Sequence, residues 1–287
     1  MASNFTASDI GMVAIERAAR DNGLLSRTYR DSEAEFGAGV GTTVSVRAYG
    51  VKANETTPDN KDTALTVSGT NEMKHDVTLT KRLYVRNTLS EEDLLTLPNF
   101  ATAITNPAVD AITDAANAAV AAIYNGLTAH ATIKWGDNAA YAAIIRARAA
   151  LRSAGIPEGA PLFVECSPEV FADLILDPTT LAALDGKVTL HESSRIAANT
   201  FVIHTAKAIA SALRAPMAPS AQDSASIRAE DGTFAIHVAR SYSTEFGAED
   251  ALHSVLFGAA LMGEPVRNES TGVVSKVPSA IKVAKAP

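Results

Sequence analysis

The period of the apolar residues changes several times along the chain, and each change marks an element. Ile10, Val13, Ala14, Arg17, Ala18 and Asn22 fall at helical spacing, which predicts a helix over 6–29 with Thr6 or Ser8 as cap and Gly23 as a candidate stop. Period two takes over at 42–51, where Val44, Val46 and Ala48 alternate with polar residues. It returns at 75–88, where Val77, Leu79, Leu83 and Val85 share a face that Lys81 interrupts. Between them, 52–71 is the least core-like stretch of the molecule. Asn54, Glu55, Pro58, Asp59, Asn60, Lys61, Asp62, Gly69 and Asn71 surround only a short strand at 64–67. The excursion 42–88 therefore reads as a two-stranded arm with a polar tip. A lone hairpin is marginal in water, so such an arm either lies on its own body or is held by another molecule. Its polar residues Lys52, Asn54, Glu55, Asp59, Lys61 and Asp62 are the candidate inter-subunit contacts.

Ser90-Glu91-Glu92-Asp93 has the form of a capping box with acid in the first turn. A long helix is expected over 99–127, with Phe100, Ile104, Ala108, Ile112, Ala115, Ala119 and Ile123 as its apolar stripe. Asn106, Asp110, Thr113 and Asn117 fall on its polar side. Pro107 removes a backbone donor and predicts a bend or break, and 118–123, apolar all round, predicts burial. Further along, a helix is expected at 137–154 before Gly155, and a buried strand at 161–166. A helix capped at Ser167 with Pro168 in its first position comes next. A strand at 200–204, a helix near Lys207, a loop at 217–226 and strands at 234–242, 251–262 and 271–277 complete the reading. Strands and helices alternate without regular βαβ repeats, so the fold class is α+β rather than a doubly wound sheet.

Composition narrows the function. The 287 residues suffice for one large domain or two modest ones, and 47% hydrophobic with 20% charged residues is ordinary for a globular protein. The formal net charge of −7 and the absence of a concentrated basic patch argue against a nucleic-acid gripper. The arginine series Arg17, Arg20, Arg27 and Arg30 is interleaved with Glu16, Asp21, Asp31 and Glu33, as on a solvated helix face. Cys166 is the single cysteine, so an intrachain disulfide and a cysteine metal cluster are both out of reach. Residues 1–11 lack the pattern of a signal peptide, and no run approaches the ~20 apolar residues of a membrane span. A protein made and used in a reducing cytoplasm is expected.

Little in the chain points to catalysis. The glycine-rich run 37–43 precedes a strand and lacks the lysine of a phosphate loop, so it reads as a flexible joint. The six histidines (His75, His130, His191, His204, His237, His253) are dispersed, without the spacing of a helical zinc site. Asp110 and Asp114 share a helix face, which a solvated or inter-subunit surface explains more simply than a metal. Cys166 ends an apolar strand and reads as an inert buried thiol. No metal or organic cofactor is expected.

The order of these elements resembles that of the major capsid proteins of tailed bacteriophages, which share the Hong Kong 97-type fold, and most of all their podovirus coat-protein branch. Three passages carry the resemblance: 75–85 (HDVTLTKRLYV) with the acidic helix start after it, 100–124 with Pro107-Ala108 inside it, and 234–242 (FAIHVARSY) followed by 255–260 (VLFGAA). The resemblance implies an N-terminal arm (1–41), an extended β-hairpin loop (42–88), a peripheral domain with a long spine helix (89–130 and 231–287) and an axial domain (131–230). It implies a virion protein, made in the host cytoplasm, that self-assembles into hexamers and pentamers of an icosahedral head enclosing double-stranded DNA. It brings scaffolding, portal and decoration proteins as partners, and implies neither sequence-specific DNA binding nor a membrane. Some relatives weld subunits through a Lys–Asn isopeptide bond. Lys52, Lys61 and Lys74 lie in or beside the extended loop and Asn268 near the chain end, although residue type alone does not single them out. Two rivals stand beside this reading. One is an encapsulin-type nanocompartment shell. The other is a soluble α/β enzyme that would need His204 and His237 in direct contact.

Overall fold

The computed structural model describes residues 6–20, 23–30, 41–51, 54, 70–90, 101–136, 140–176, 182–218, 223–230, 234–245, 247–267 and 274–286. The chain forms two compact units, each assembled from three stretches. One holds 1–44, 77–121 and 211–260, and the other 45–76, 122–210 and 261–287.

The first unit is built on an antiparallel sheet of β3 (Lys81–Ser90), β10 (Ala248–Leu261), β9 (Ala235–Ser243) and β8 (Asp223–Arg228), in that order, with β7 (Ile209–Arg214) also pairing β10. β3 runs against β10 from Lys81 opposite Phe257 to Ser90 opposite Ala248. Ile236 and Val238 of β9 and Ala251, Val255 and Phe257 of β10 are buried on one face of the sheet, its core face. Helix α1 (Ala7–Ala18) packs on β8 and β9 through Ala7, Ile10, Ala14 and Ala18. Gly11 permits that approach, since a Cβ there would stand 2.4 Å from Ile227 Cδ1. Thr6 caps the helix in a reciprocal box: Asp9 N donates to Thr6 Oγ1 at 3.2 Å and Thr6 N to Asp9 Oδ2 at 3.0 Å.

The expected helix 6–29 is shorter than its pattern. It ends at Ala18, and a separate 3₁₀ turn, Leu24–Arg27, follows with Leu24 and Leu25 buried. Tertiary contact fixes that turn, because Leu25 N donates to Asn117 Oδ1 at 2.7 Å. The expected strand 75–88 is also two strands, β2 (Thr70–Thr78) and β3, interrupted at Leu79 and Thr80. The break lies where the chain crosses Gly258 of β10: a Cβ there would be 2.2 Å from Thr78 O. Of the described residues, only β1 (Thr43–Val51) paired with β2 therefore forms the arm, while β3 belongs to the five-stranded sheet. The expected loop 217–226 likewise gives way to β8 from Asp223 onward, because β9 supplies a partner edge.

The long helix is α2 (Asn106–Gly126), 21 residues and about 32 Å at ~1.5 Å per residue. It follows a π-helical turn, Ala101–Thr105. Pro107 thus sits where the π turn gives way to α2, so its missing donor falls at the change of hydrogen-bond period. The break expected at the proline is this π-to-α change. The buried positions of α2 are Ala108, Val109, Ile112, Thr113, Ala116, Asn117, Val120, Ala121 and Tyr124, so Thr113 and Asn117 leave the polar side to which the pattern assigned them. The expected stripe advanced four residues at five of its six steps, each of which rotates the position about 40° around the axis, whereas a helix of ~3.6 residues per turn holds one face only when steps of three and four are more evenly mixed. Thr113 is satisfied locally, its hydroxyl donating to Val109 O at 3.1 Å. Within 118–123 Ala118 and Ala122 are exposed, so burial is one-sided there.

The second unit holds the sheet β13 (Ala280–Ala284), β6 (Thr200–Thr205), β4 (Leu162–Cys166), β5 (Thr189–Glu192), in that order. β4 and β5 are parallel and the other pairs antiparallel. Helices α3 (Ala140–Ser153) and α4 (Pro168–Leu176) cover it, and Ile144, Ala147, Leu151, Val164, Leu174, Phe201, Ile203 and Val283 share its core. α3 stops at Gly155, whose φ of 104° an L side chain resists. The helix expected near Lys207 is a turn that leads directly into β7. In the tail, β12 (Val274–Val277) pairs with β11 (Glu264–Arg267). β13 pairs with β6, so the C-terminal strand, expected with 89–130, joins the sheet of the 131–230 region.

Candidate assembly surface

The arm is apolar at its root and charged beyond it. Val44, Val46, Val77 and Leu79 are buried, and Leu79 N donates to Thr42 O at 2.6 Å. Farther out, Arg47 pairs with Glu72 at 3.2 Å and Lys74 with Asp76 at 3.2 Å, all four side chains about half exposed. Ser45 donates to Asp76 at 2.6 Å. That hydrogen bond, with the one from Lys74, holds the Asp76 carboxyl below the usual carboxylate range. Ion pairs so exposed contribute little to folding. Of the six candidate contact residues, Asn54 is described and is exposed. Lys52, Glu55, Asp59, Lys61 and Asp62 lie outside the described residues, as do the 64–67 strand, the acidic helix start after Ser90, Phe100 and the glycine joint at 37–40. Of the isopeptide candidates, Lys74 is described, paired with Asp76, while Lys52, Lys61 and Asn268 fall outside.

Arg17 does not sit on a merely solvated face. Its guanidinium grips Asp110 of α2 through two bonds, at 2.7 and 2.8 Å, and holds that carboxyl below its ordinary range. A buried asparagine, Asn117, anchors the turn after α1, a role that its polar character alone could not disclose.

The histidines named for catalysis belong to separate compact units, His204 to the second and His237 to the first. His204 is fully buried on β6. Its Nδ1 lies 2.9 Å from Thr205 O, its ring stacks on Tyr124 (4.9 Å) and Phe163 (5.7 Å), and Glu165 Oε1 stands 3.6 Å from Nε2, beyond a good hydrogen bond. An imidazole closed off in this way has no path to a substrate. His237, also buried, lies 3.2 Å from Ser226 Oγ, and burial lowers its pKa with help from Arg82. Among the described residues no three His, Cys, Asp or Glu side chains are grouped to hold a metal. The Cys166 thiol is buried and pushed up to about 12 by desolvation and then by Glu165, the state of an unreactive thiol. No helix among the described residues is long and apolar enough to cross a membrane.

No protein-family model matches the sequence, and no curated protein matches it. Solved structures do, along almost the whole chain. The capsid structure of cyanophage P-SCSP1u is similar at a TM-score of 0.55 and 11% identity, covering 93% of this chain and 89% of that one. A virus-like particle from Pyrococcus furiosus is similar at 0.53 and 11%, covering 96% and 98%. A chain of Mycobacterium phage Che8 is similar at 0.50 and 14%, covering 91% of each. At such identities the likeness is one of fold: the protein has a mixed helix-and-sheet architecture that matches phage capsid structures nearly end to end.

Proposed function

We propose that this chain is the major capsid protein of a tailed bacteriophage, of the Hong Kong 97 type and its podovirus branch, and not an enzyme. Copies associate into hexamers and pentamers of an icosahedral head around double-stranded DNA, and the protein resides in the virion. The observation that carries the reading is the near full-length likeness to the P-SCSP1u capsid structure. The histidine environments support it, since neither His204 nor His237 offers an open reactive group. In this reading β1 and β2 form the extended loop and α2 the spine. The sheet around β4 and β6, with the tail strand β13 added, is the axial domain, and the sheet around β9 and β10 belongs to the peripheral domain. Scaffolding, portal and decoration proteins are its further partners.

The match to a virus-like particle over 98% of that chain supports a second reading, an encapsulin-type shell. One experiment separates the two. The purified protein, alone and with a scaffolding partner, is imaged by electron microscopy after concentration. Capsomers, tubes or closed shells are expected, and shells recovered from infected cells should contain DNA. Shells filled with protein favour the second reading. Persistent monomers at high concentration with scaffold present would sink both.

A further inference from the structure

A cavity of about 810 Å³ lies in the second unit, lined by Arg148 and Arg152 of α3, the loop 158–161 and the turn around Gly186. Arg148 and Arg152 are four residues apart, so the two guanidiniums share one helix face and repel. Arg152 donates to Pro157 O and, at 2.9 Å, to Ala160 O; both partners are neutral carbonyls. The Nε atoms of both arginines are buried without a hydrogen-bond partner among the described residues. Burial and then the charge of Arg148 lower the pKa of Arg152, with Glu158 opposing them, so the positive charge at this wall is under-compensated. Lys187 adds a third cation to the lining, against the two acids Glu158 and Asp185. The cavity is thus net positive in a chain of net charge −7. Its volume is that of sites for organic ligands and exceeds what a lone ion needs.

We propose that this cavity binds an organic oxyanion, a phosphate ester or a carboxylate, through Arg148, Arg152 and Lys187. Guanidinium groups are the side chains best matched to phosphate and carboxylate oxygens, and an ammonium at the rim completes the neutralisation. Arg152 also ties the end of α3 to the loop after it, so its removal would confuse binding with folding. The informative variants are Arg148→Gln, Arg148→Lys and Lys187→Gln.

The test is calorimetric titration of the dispersed full chain, in low salt, with inorganic tripolyphosphate and, separately, with citrate. Saturable binding of at least one probe is expected, weakened about tenfold by Arg148→Gln or by Lys187→Gln and partly restored by Arg148→Lys, with melting unchanged. The probe that binds more tightly identifies the oxyanion. Should Arg148→Gln fail to fold, the exposed Lys187→Gln decides alone. Absence of saturable binding to both probes, or binding that every folded variant retains, overturns the proposal. Neither result depends on whether the chain builds shells.

Discussion

His253 is the residue whose chemistry is most at odds with its surroundings. It lies on β10 between Val85 and Val238, fully buried, and neither ring nitrogen has a hydrogen-bond partner among the described residues. Desolvation pushes its pKa down to about 4 from 6.5. The folded state therefore holds fewer protons than the unfolded state between those values. This contribution to stability is full above pH ~6.5 and falls as pH drops toward 4, by about 3 kcal/mol at most. Urea unfolding of dispersed subunits at pH 7.5 and pH 5 should show the loss, and His253→Leu should reduce it. An unchanged slope in that variant would assign the pH dependence elsewhere.

Three residues of α2 test its rotation. Val120 is fully buried, so Val120→Asp strands a carboxylate without partners and should block folding, at a cost of several kcal/mol. Asp110→Ala removes a half-exposed carboxylate and should leave the fold intact. Asn117→Ala should cost about 1–3 kcal/mol, because Leu25 N loses its acceptor inside the protein. Chemical denaturation of the three variants checks the set. Soluble, cooperatively melting Val120→Asp protein would mean that α2 presents another face.

Among the elements, the arm invites the sharpest experiment. Replacing 52–69 by a short Gly/Ser turn leaves β1 and β2 able to close as a shorter hairpin, since loop closure changes by only ~0.6 kcal/mol per doubling of length. The buried root of Val44, Val46 and Val77 is untouched. A folded subunit that fails to build stable shells is expected, because whatever contact the segment makes is repeated at every lattice position. In free subunits the segment should be cut early by proteases, and in shells it should be protected. Unfolding of the variant would show that the segment supports its own body, and normal shells would show that it carries no assembly energy.

For the whole molecule, chelation should leave the melting temperature unchanged, given the dispersed histidines and the one buried cysteine. Stoichiometric zinc or iron together with loss of structure on chelation would overturn that. What the sequence by itself determined was local. The Thr6 cap, the alternation at Val44 and Val46, the stop at Gly155 and the strands around 162–166 and 235–243 follow from residue type and period, and these need no distant partner. The exposed position of Asn54 agrees with its polar, turn-rich surroundings. Tertiary structure decided whatever depended on residues far apart in the chain. Gly258 met Thr78 and divided one expected strand into two. Asn117 turned inward because Leu25, 92 positions away, needed an acceptor. The tail strand joined β6 because that edge was open to pairing. Arg148 and Lys187 came to line one cavity for a similar reason, packing between elements that no local pattern connects. Periodicity records the face a segment must bury, whereas the partner that buries it is chosen only when the chain closes on itself.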